Sequence, residues 1–512
     1  MVDKHIIVVG AGPGGLTSAM LLASRGFKVT VFEKAGDVGG RNAAIRLGNF
    51  KFDTGPTFLM MKFTLDDVFA ASGLRADDYF ETRRLEPMYR LCFDDGETYA
   101  WDEVAKLRAE IAKKFPGQET GYDRFVAREP GRFQKVYATL ARDYTSPLSM
   151  LNGALLRAVP HLAIGRSLMD VIGTYFGPEK LKLSFTFGAK YLGMSPWECP
   201  GGYMIIPYVE REFGIYHVIG GLCEISAGMA KAVRRLGGDI RLNTPVKRLI
   251  VDGKTVKGVE LASGEQVYAD EVIVNADFAY AMSHLVEDGR LRKYSPQKLA
   301  RKRYSCSTFM LYLGLDKLYD MPHHSIVFAG DYRKNVDDIF HNFRLSEDTS
   351  LYVQNPSITD PTLAPPGKSA VYVLVPVSNT SGSIDWAKEK DAFKERVLDT
   401  IERRTEMKDV RKHIEQIKVI TPADWEKEYN VYNGATFNLA HNLMQMLYLR
   451  PHNRFEELEH CYIVGGGTHP GSGLPTIYVS GQIAASMICA KYGVPEIPVT
   501  KAPVPVPAPL SR

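Results

Sequence analysis

Apolar and polar positions along the chain follow the period of strands in some stretches and the period of helices in others. His5–Val9 is a short apolar run rich in β-branched residues, which predicts a strand buried on both faces of a sheet. Leu16–Ser24 has helical character and many small residues, and Lys28–Phe32 is a second apolar run that ends at Glu33. The order strand, helix, strand predicts a βαβ unit at the start of the chain.

Similar runs recur in two later parts of the chain. Between residues 220 and 276 the pattern predicts an amphipathic helix, a hairpin and further strands. Near the carboxyl end, an apolar strand and a helix-like run flank a glycine-rich turn. The chain is therefore expected to return twice to its first unit. The predicted elements are a helix over Glu224–Leu236, strands over Gly237–Asn243, Val246–Val251, Val256–Leu261, Glu271–Ala276 and Cys461–Val464, and a helix over Ile477–Lys491.

Composition and charge exclude several kinds of protein. The chain has 512 residues, of which 45% are hydrophobic and 24% charged, as is usual for a globular protein. Its 63 basic and 59 acidic residues give a net charge of +4, which is too balanced to favour nucleic-acid binding. No apolar run reaches about 18 residues, so we expect no transmembrane helix. The amino-terminal residues lack the pattern of a secretory signal, so we expect none.

The six cysteines indicate the compartment. They are scattered along the chain, and none forms a Cys-x-x-Cys pair. Their spacing fits neither a zinc site nor a disulfide framework, so we expect no bound metal and six reduced thiols. This pattern is typical of a reducing compartment and predicts a cytoplasmic protein.

A glycine-rich turn separates the first strand from the first helix. Gly10, Gly12, Gly14 and Gly15 lie in this turn, and positions 10, 12 and 15 form the pattern GxGxxG. The first glycine allows a tight turn, the second lets a pyrophosphate approach the backbone, and the third lets helix and strand pack closely. The helix start offers free N–H groups to phosphates. Glu33, about 20 residues further on, can accept hydrogen bonds from ribose hydroxyls. The turn predicts a dinucleotide site.

The residues after Glu33 favour FAD over a nicotinamide dinucleotide. Lys34 begins a stretch that ends in Gly39-Gly40-Arg41, and this second glycine pair is similar to the one that carries the chain across the pyrophosphate in flavoproteins. A nicotinamide dehydrogenase has no need of it. Gly55-Pro56 forms a sharp turn that is expected either to bring backbone toward the flavin or to be a plain loop.

The carboxyl-terminal turn predicts the other end of the flavin site. Gly467, Thr468, Gly473 and Leu474-Pro475 lie between the predicted strand and helix. A strand, a glycine-rich turn and a helix can bring backbone N–H groups to the isoalloxazine, and the helix dipole would stabilise an anionic reduced flavin. His469, within the turn, is interpreted either as a catalytic base or as a structural residue, and we favour the structural role.

With these residues in view, the chain resembles the bacterial and fungal type of carotenoid desaturase, the phytoene desaturase family of FAD-dependent oxidoreductases. The resemblance covers nearly the whole length. The amino-terminal signature matches Gly10–Arg41, and the more specific carboxyl-terminal signature matches Gly467–Pro475. Amine oxidases share only the first. Further segments similar to the family are Gly201–Gly221, Asn355–Asp360, Thr421–Pro422, Tyr432–Phe437 and Arg450–Arg454.

Two places depart from the common pattern of that family. His217 stands where an aromatic residue is usual, and Val218 stands where a proline is usual. Thr476 stands where a glycine is frequent. Both stretches are expected to border the substrate cavity, so they leave the exact substrate open.

The resemblance implies an α/β fold, with a Rossmann-like FAD-binding domain interleaved with an α+β substrate domain that has a mixed or antiparallel sheet. It implies that the backbone of Val246 contacts the adenine, and Asn275 is a further candidate for the cofactor. Residues 494–512 are rich in proline and are expected to form a disordered or polyproline tail. We assign the FAD-binding domain to residues 1–80, 214–290 and 451–493, and the substrate domain to residues 81–213 and 291–450.

The resemblance also implies the reaction, which is dehydrogenation of a carotenoid precursor such as phytoene or 4,4'-diapophytoene. The flavin N5 accepts a hydride, and a proton leaves an allylic cation that neighbouring double bonds stabilise. No strong base is therefore obligatory. Candidate proton acceptors are Asp143, Glu210, Glu212 and His217, and a carboxylate in this role needs a raised pKa.

One apolar segment, Pro147–Arg166, bears on contact with a membrane. It contains the basic residues Arg157 and Arg166 and is broken by Pro160. It is too short to span a bilayer, and it is expected either to lie in the headgroup plane or to form a core helix. Because a polyene must be drawn from lipid, we favour a peripheral position on the inner face of the cell membrane. Oxygen or a quinone is the expected electron acceptor, and a homo-oligomer is compatible with the sequence.

Three other functions remain open at this point. A polyene saturase or a cis–trans isomerase on the same scaffold would keep both signatures, and only the product separates them. An amine oxidase would need an aromatic cage facing the flavin. A non-enzymatic polyprenoid carrier would have no reason to keep a complete FAD site. The number of desaturation steps and the chain length of the substrate are likewise open.

Overall fold

The computed structural model describes residues 2–503. Twenty strands lie within these residues, in five sheets. In chain order they are β1 (Val2–Val9), β2 (Phe27–Phe32), β3 (Ala44–Leu47), β4 (Phe50–Asp53), β5 (Leu59–Met60), β6 (Thr82–Arg84), β7 (Tyr89–Phe93), β8 (Gly96–Ala100), β9 (Ile215–Val218), β10 (Asp239–Arg241), β11 (Val246–Asp252), β12 (Thr255–Leu261), β13 (Gln266–Tyr268), β14 (Glu271–Val274), β15 (Ser307–Leu315), β16 (His324–Val327), β17 (Leu351–Gln354), β18 (Ser369–Val377), β19 (Ile414–Ile420) and β20 (Cys461–Ile463).

The α-helices of the same residues range from short single turns to one helix of 22 residues. In chain order they are α1 (Pro13–Ser24), α2 (Lys62–Ala71), α3 (Val104–Lys114), α4 (Glu119–Leu140), α5 (Gly153–Ala158), α6 (Leu168–Ile172), α7 (Glu179–Thr186), α8 (Ile205–Phe213), α9 (Cys223–Arg235), α10 (Phe278–His284), α11 (Pro296–Leu299), α12 (Tyr332–Asp337), α13 (Trp386–Arg404), α14 (Pro422–Lys427) and α15 (Leu474–Lys491).

A five-stranded parallel sheet forms the nucleotide-binding part of the molecule. Its strand order is β10-β2-β1-β14-β20, and each neighbouring pair is parallel. The strands come from three separate stretches of the chain, as the sequence pattern predicts. The prediction of a Rossmann-like fold is confirmed.

The second half of the central strand β1, residues 6–9, is apolar without alternation. Ile6 and Val8 pack into one buried cluster with α1, α9 and α15. Ile7 and Val9 pack into a second cluster, with the antiparallel strands β11 and β12 and with α10. Because both faces of the sheet are covered, every side chain of this run must be apolar.

A seven-stranded sheet forms the second layer, in the order β19-β15-β18-β17-β16-β7-β8. The pair β16 and β7 is parallel, and the other pairs are antiparallel, so the predicted mixed sheet is confirmed. Phe309 and Leu311 of β15 face α13, whereas Met310 and Tyr312 face the β3–β4 hairpin. The second face therefore lies toward the nucleotide-binding part of the chain.

Helices α3, α4, α6, α7 and α8 share a core rich in aromatic residues, which also includes β7 and part of β16. A small antiparallel sheet, β5-β9-β6, joins this region to the residues on either side. The predicted domain boundaries after residues 80 and 213 fall beside β6 and β9, and they stay predictions.

The sequence predicts a disordered or polyproline tail over residues 494–512. Residues 494–503 form neither helix nor strand but pack onto the rest of the chain, and residues 504–512 lie outside the described part of the chain. Ile497 is only 2% exposed and packs into the cluster around α1 and α15. Thr500 donates its N–H to Oε1 of Gln482 at 3.1 Å and accepts from Nε2 of the same side chain at 3.0 Å. Proline prevents helix and strand here, but single apolar and polar side chains still anchor the segment to α15.

Candidate active site

The first glycine-rich turn joins β1 to α1. Gly10 has φ of +98°, a left-handed conformation that favours glycine. A Cβ atom on Gly15 would stand 2.3 Å from the carbonyl oxygen of Gly10, so only glycine fits there. Helix α1 begins after Gly12 with Pro13 in its first turn, and no side chain caps it. Its free N–H groups and the positive end of its dipole can therefore bind a phosphate.

Asn275 packs behind this turn, directly after β14. Its Nδ2 donates to the carbonyl of Gly10 at 3.1 Å. A Cβ atom on Gly12 would lie 2.9 Å from Asn275 Nδ2, and one on Gly14 would lie 2.8 Å from Asn275 Oδ1. A Cβ atom on Gly465, in the carboxyl-terminal turn, would lie 3.2 Å from the same Oδ1. Three stretches of the chain thus meet at one side-chain amide, and a Cβ atom at position 12 or 14 would force that amide to shift.

Glu33 and Val246 lie where the sequence predicts the adenosine end of the cofactor. The Glu33 carboxylate is buried, and it accepts the N–H groups of Ala11 at 2.8 Å and Ala35 at 2.9 Å. Each of its oxygens has a second acceptor site for a ribose hydroxyl. Val246 begins β11 and is partly exposed. Lys34 is exposed, and its Nζ donates to the backbone carbonyl that follows α14 at 2.9 Å. Their contacts with the cofactor stay predictions.

The second glycine pair packs onto the first turn. Gly39 has φ of +112°, and its N–H donates to the carbonyl of Ala11 at 2.8 Å. A Cβ atom on Gly40 would lie 3.9 Å from the Cα atom of Gly12. The two glycine-rich stretches therefore form one backbone surface beside the start of α1. The glycines of that surface have no side chains of their own, which suits the predicted crossing of a pyrophosphate.

Arg41 belongs to a polar group that the sequence analysis did not identify. Its Nη1 donates to the carbonyl of Thr436 at 2.7 Å. With its amide oriented so that both ends are paired, Asn438 donates to Asp277 Oδ2 at 2.7 Å and accepts from Arg41 Nη2 at 3.2 Å. Burial raises the pKa of Asp277, and the charge of Arg41 opposes this rise. No local pattern marks Asp277 or Asn438, because folding alone brings them to Arg41.

The turn over residues 53–57 is held by hydrogen bonds from the seven-stranded sheet, and its predicted contact with the flavin stays a prediction. Gly55 and Pro56 are partly exposed, and a Cβ atom on Gly55 would stand 2.8 Å from the carbonyl oxygen of Arg41. Three neighbouring strands of the seven-stranded sheet each contribute one tyrosine hydroxyl. Tyr312 donates to the carbonyl of Thr54 at 2.5 Å, and Tyr372 donates to the carbonyl of Gly55 at 2.7 Å. The hydroxyl of Tyr352 is hydrogen-bonded to that of Thr57 at 2.8 Å.

Asp53 connects the same turn to α9. Its carboxylate accepts the N–H groups of Leu222 and Cys223, each at 2.9 Å. These are donors at the start of the helix, where a negative charge is favourable. Burial raises the pKa of Asp53, and the two hydrogen bonds oppose this rise.

The carboxyl-terminal turn joins β20 to α15. Residues 465–470 are buried, whereas Gly473 is exposed. A Cβ atom on Gly467 would stand 2.4 Å from the Cβ atom of Phe278, so a side chain is excluded there. Helix α15 begins after Gly473 with Leu474-Pro475 in its first turn, and no side chain caps it. A second uncapped helix start is therefore available to a ligand.

His441 and Arg450 hold this turn from the side of the preceding segment. His441 Nε2 accepts the N–H of Ser472 at 3.0 Å. Arg450 donates to the carbonyls of Thr468 at 2.9 Å and Gly466 at 2.8 Å. Neither His441 nor Arg450 was predicted from the sequence to be a site residue. Arg450 stands in a segment that resembles the desaturase family, and that was the one available signal.

The surroundings of His469 agree with the structural role that the sequence analysis favours over that of a catalytic base. It is buried, and its Nε2 lies 3.1 Å from the carbonyl of Leu140, as a donor. Burial lowers its pKa to about 3, so the ring is neutral near neutral pH. Its ring meets Tyr144 edge-on, with centroids 4.9 Å apart. The imidazole therefore ties the turn to the loop that follows α4.

The three acidic candidates for the proton acceptor lie in different surroundings. Asp143 is exposed, on the loop that packs against His469. Glu210 is buried, and its carboxylate accepts from Tyr89 Oη at 3.0 Å and Arg211 Nη1 at 3.3 Å. Burial raises the pKa of Glu212, on the same helix. Their roles in catalysis stay predictions.

The departures from the family pattern have local explanations. His217 is buried, and its Nε2 pairs with Asp360 Oδ2 at 2.9 Å. The same oxygen accepts the N–H of Gly220 at 2.7 Å. The Thr476 hydroxyl donates to the carbonyl of Gly473 at 2.9 Å, within the first turn of α15. Asp360 thus fixes His217, and Thr476 adds a hydroxyl to the first turn of the helix.

Comparisons with known proteins agree with this site. Residues 13–489 match the family model described as flavin containing amine oxidoreductase. A 4,4'-diapophytoene desaturase (4,4'-diapolycopene-forming) from a Methylomonas species is 52% identical over 96% of this chain and 96% of its own length. An all-trans-zeta-carotene desaturase from Myxococcus xanthus is 38% identical over 97% of this chain and 95% of its own length.

A solved structure supports the same fold. An oxidoreductase from Methanosarcina mazei superposes with a TM-score of 0.63 over 93% of this chain and 98% of its own, at 17% identity. At this identity the likeness concerns the fold alone. The relatives and the family model confirm the predicted flavin cofactor and the predicted class of enzyme. The chain is an FAD-dependent oxidoreductase of the flavin-containing amine oxidoreductase family and belongs, within that family, to the carotenoid desaturases.

Proposed function

We propose that this enzyme dehydrogenates 4,4'-diapophytoene. The observation that carries the choice of substrate is the 52% identity, over nearly the full length of both chains, with a desaturase named for that precursor. The geometry supports the redox chemistry, because two glycine-rich turns meet at Asn275 and each turn leads into an uncapped helix start. Phytoene is the second candidate substrate, since it is the longer precursor of the same chemical class.

The chain's own backbone is suited to hold FAD. The start of α1 and the Gly39-Gly40 pair would hold the pyrophosphate, and Glu33 would hold the ribose. When bound, FAD supplies the acceptor for a hydride from the substrate. The start of α15 would stabilise the negative charge that this transfer creates, because the positive end of its dipole is uncapped.

The turn over residues 53–57 would form the wall between the cofactor and the substrate. Phe58 follows this turn, and its ring lies 4.3 Å from the ring of His324 and 5.6 Å from the ring of Tyr352. Burial lowers the pKa of His324 well below its usual range, so its ring is neutral. A wall of neutral rings keeps water away from an allylic cation, which would otherwise be trapped as an alcohol.

Asp143, Glu210, Glu212 and His217 stay the candidates for the proton acceptor, and Asp143 is the one that we would test first. It is exposed and can pass a proton to solvent, and its loop contacts the carboxyl-terminal turn through Tyr144 and His469. Glu210 is already engaged by Tyr89 and Arg211. The variant Asp143→Asn should lower kcat and leave the flavin spectrum unchanged. An unchanged kcat would show that the cation loses its proton without the help of Asp143.

A peripheral membrane position is supported by exposed apolar side chains on the stretch 147–166 and on the segment 439–449, which contact each other. We call these side chains the apolar surface and define it by Leu148, Leu151, Leu156, Ile164 and Met444. These side chains are 60% to 77% exposed. Arg157 and Arg166 lie in the same stretch as the first four, and their charge suits anionic headgroups. Other residues of the stretch, such as Leu155, are buried, so it is both a core element and a surface. Within residues 2–503, no helix has the length and apolarity to cross a membrane.

Product analysis tests the proposed substrate and reaction together. The purified enzyme would be incubated in liposomes that contain either 4,4'-diapophytoene or phytoene, with oxygen or a quinone as electron acceptor. We expect faster conversion of 4,4'-diapophytoene into products with more conjugated double bonds. Faster conversion of phytoene would overturn the choice of 4,4'-diapophytoene as the substrate. Products with fewer double bonds, or with changed geometry alone, would indicate a saturase or an isomerase.

A further inference from the structure

Arg450 is a fully buried guanidinium that bonds to backbone on two sides. Its exposed fraction is 0%. On one side, Nε donates to the carbonyl of Thr468 at 2.9 Å, and Nη2 donates to the carbonyl of Gly466 at 2.8 Å. On the other side, Nη1 donates to the carbonyl of Gln445 at 3.2 Å, and Nη2 donates to the carbonyl of Leu439 at 3.4 Å. One guanidinium therefore joins two backbone segments.

The partners of Arg450 differ from those of other buried arginines in this chain. A fifth contact, from Nη1 to the sulfur of Met446 at 3.8 Å, completes the five N–H groups of the side chain. Arg90, by contrast, is buried and pairs with the Glu406 carboxylate, at 2.7 Å for one of its two bonds. Burial lowers the pKa of Arg450 to about 10, so it stays charged near neutral pH. The charge is solvated by carbonyl dipoles and is not cancelled by a carboxylate bonded to these N–H groups.

The two segments that Arg450 joins have different surroundings. Gly466 and Thr468 belong to the turn that leads to the uncapped start of α15. The other segment, 439–449, includes Leu443 and Met444, which are 50% and 75% exposed. The second of these belongs to the apolar surface. The same segment reaches the turn again through His441, which accepts the N–H of Ser472.

We infer that Arg450 is a positioning residue that holds the start of α15, and with it the flavin end of the site, in register with the lipid-facing segment 439–449. The inference rests on the proposed function in one respect: that function places the flavin beside the start of α15 and lipid beside segment 439–449. The buried positive charge of Arg450 lies beside the turn that leads to the uncapped start of α15, where it favours a negative charge. Loss of the guanidinium should therefore disturb both the geometry and the electrostatics of the flavin.

The test compares Arg450→Gln and Arg450→Lys with the control Arg90→Gln. Arg90 is also buried, but it serves the seven-stranded sheet. The measurements are the melting temperature, the visible circular dichroism of bound FAD, the FAD dissociation constant and the reduction potential. We expect Arg450→Gln to bind FAD about tenfold more weakly or worse, with a lower reduction potential and an altered flavin dichroism. Arg90→Gln should lower the melting temperature and leave the flavin properties unchanged.

Arg450→Lys keeps a charge but loses the planar fork, so it separates electrostatics from positioning. We expect it to restore most of the reduction potential and to keep an altered flavin dichroism. If Arg450→Gln does not fold, Arg450→Lys alone is compared with the control. Wild-type flavin dichroism in Arg450→Lys, or flavin changes no larger than those of Arg90→Gln, would overturn the inference.

The same proteins distinguish this inference from the proposed function. If the wild-type enzyme fails to convert any polyene while the flavin readouts change as expected, the proposed function fails and the role of Arg450 stands. If the wild-type enzyme is active and the flavin readouts of the Arg450 variants match the control, the inference alone fails.

Discussion

The side-chain amide of Asn275 donates to the backbone carbonyl of Gly10 at 3.1 Å and so links residues that are 265 positions apart. The carbonyl belongs to a tight turn, where it needs a donor from outside the turn. The other end of the amide lies beside Gly14 and Gly465. The two glycine-rich turns of the flavin site are therefore assembled around this one side chain.

Replacing Asn275 by leucine should damage FAD binding beyond its effect on stability. Asn275→Leu leaves the Gly10 carbonyl without its donor, which we expect to cost about 1–3 kcal/mol of unfolding free energy. FAD affinity should fall by about tenfold or more, because the phosphate-binding turn loses its support. The control is Asn335→Leu, which removes a buried bond to Ser346 near the seven-stranded sheet. Equal FAD affinity in the two variants would contradict this account.

Glycine at position 15 should be indispensable for the turn. In Gly15→Ala, the new Cβ atom would stand 2.3 Å from the carbonyl oxygen of Gly10, so the turn must shift away from the start of α1. We expect a protein that is isolated without bound FAD. Gly131→Ala is the matched control, because Gly131 lies inside α4 with open space at its Cβ position. That change should be neutral or stabilise the helix by about 1 kcal/mol. A yellow Gly15→Ala protein with normal FAD affinity would refute the argument.

The apolar surface should bind lipid without contributing to stability. We expect a combined replacement of Leu148, Leu151 and Met444 by serine to abolish sedimentation with anionic vesicles, because these side chains are 70% to 77% exposed. The melting temperature should stay the same. The control replaces three exposed apolar residues at other sites, Leu318, Ile358 and Ile417, by serine. If the control loses vesicle binding to the same extent, the surface is not the site of contact.

His469 should make stability depend on pH. Burial lowers its pKa from 6.5 to about 3, so the unfolded chain binds a proton that the folded chain does not. Its contribution to the free energy of unfolding is therefore complete above about pH 6.5 and is lost as the pH falls toward about 3. Burial also lowers the pKa of His323, His324 and His441, which act in the same direction.

Urea denaturation between about pH 7 and about pH 5 measures this effect. The midpoint should fall with pH in the wild-type protein, and it should fall less steeply in His469→Asn. The difference between the two slopes isolates His469 from all other titrating groups. Parallel slopes would show that the imidazole is not held neutral in the fold.

Much of the nucleotide-binding part could be predicted because its signals are local. A doubly buried strand, a glycine-rich turn and a helix are each encoded in fewer than 15 neighbouring residues, and Val2–Val9 and Pro13–Ser24 follow them closely. For the substrate domain, the sequence predicted only that its sheet is mixed or antiparallel. The strand order of this sheet could not be predicted, since β7 and β16 pair across more than 200 residues.

The supporting side chains of the site could not be predicted from the sequence, for a related reason. Asp277, Asn438 and Arg450 act on residues that are distant in the chain, and no spacing rule connects them to their partners. In the tail, proline content predicts the absence of helix and strand, but it does not reveal an anchor such as Ile497.

The most direct test of the central claim is anaerobic reduction of the bound flavin by a polyene. The purified enzyme would be mixed with liposomes that contain 4,4'-diapophytoene, in the absence of oxygen and quinone, while the visible spectrum is recorded. We expect bleaching of the flavin band together with the rise of a longer-wavelength polyene band. A flavin that stays oxidised with 4,4'-diapophytoene and with phytoene, but is bleached by an amine, would contradict the central claim.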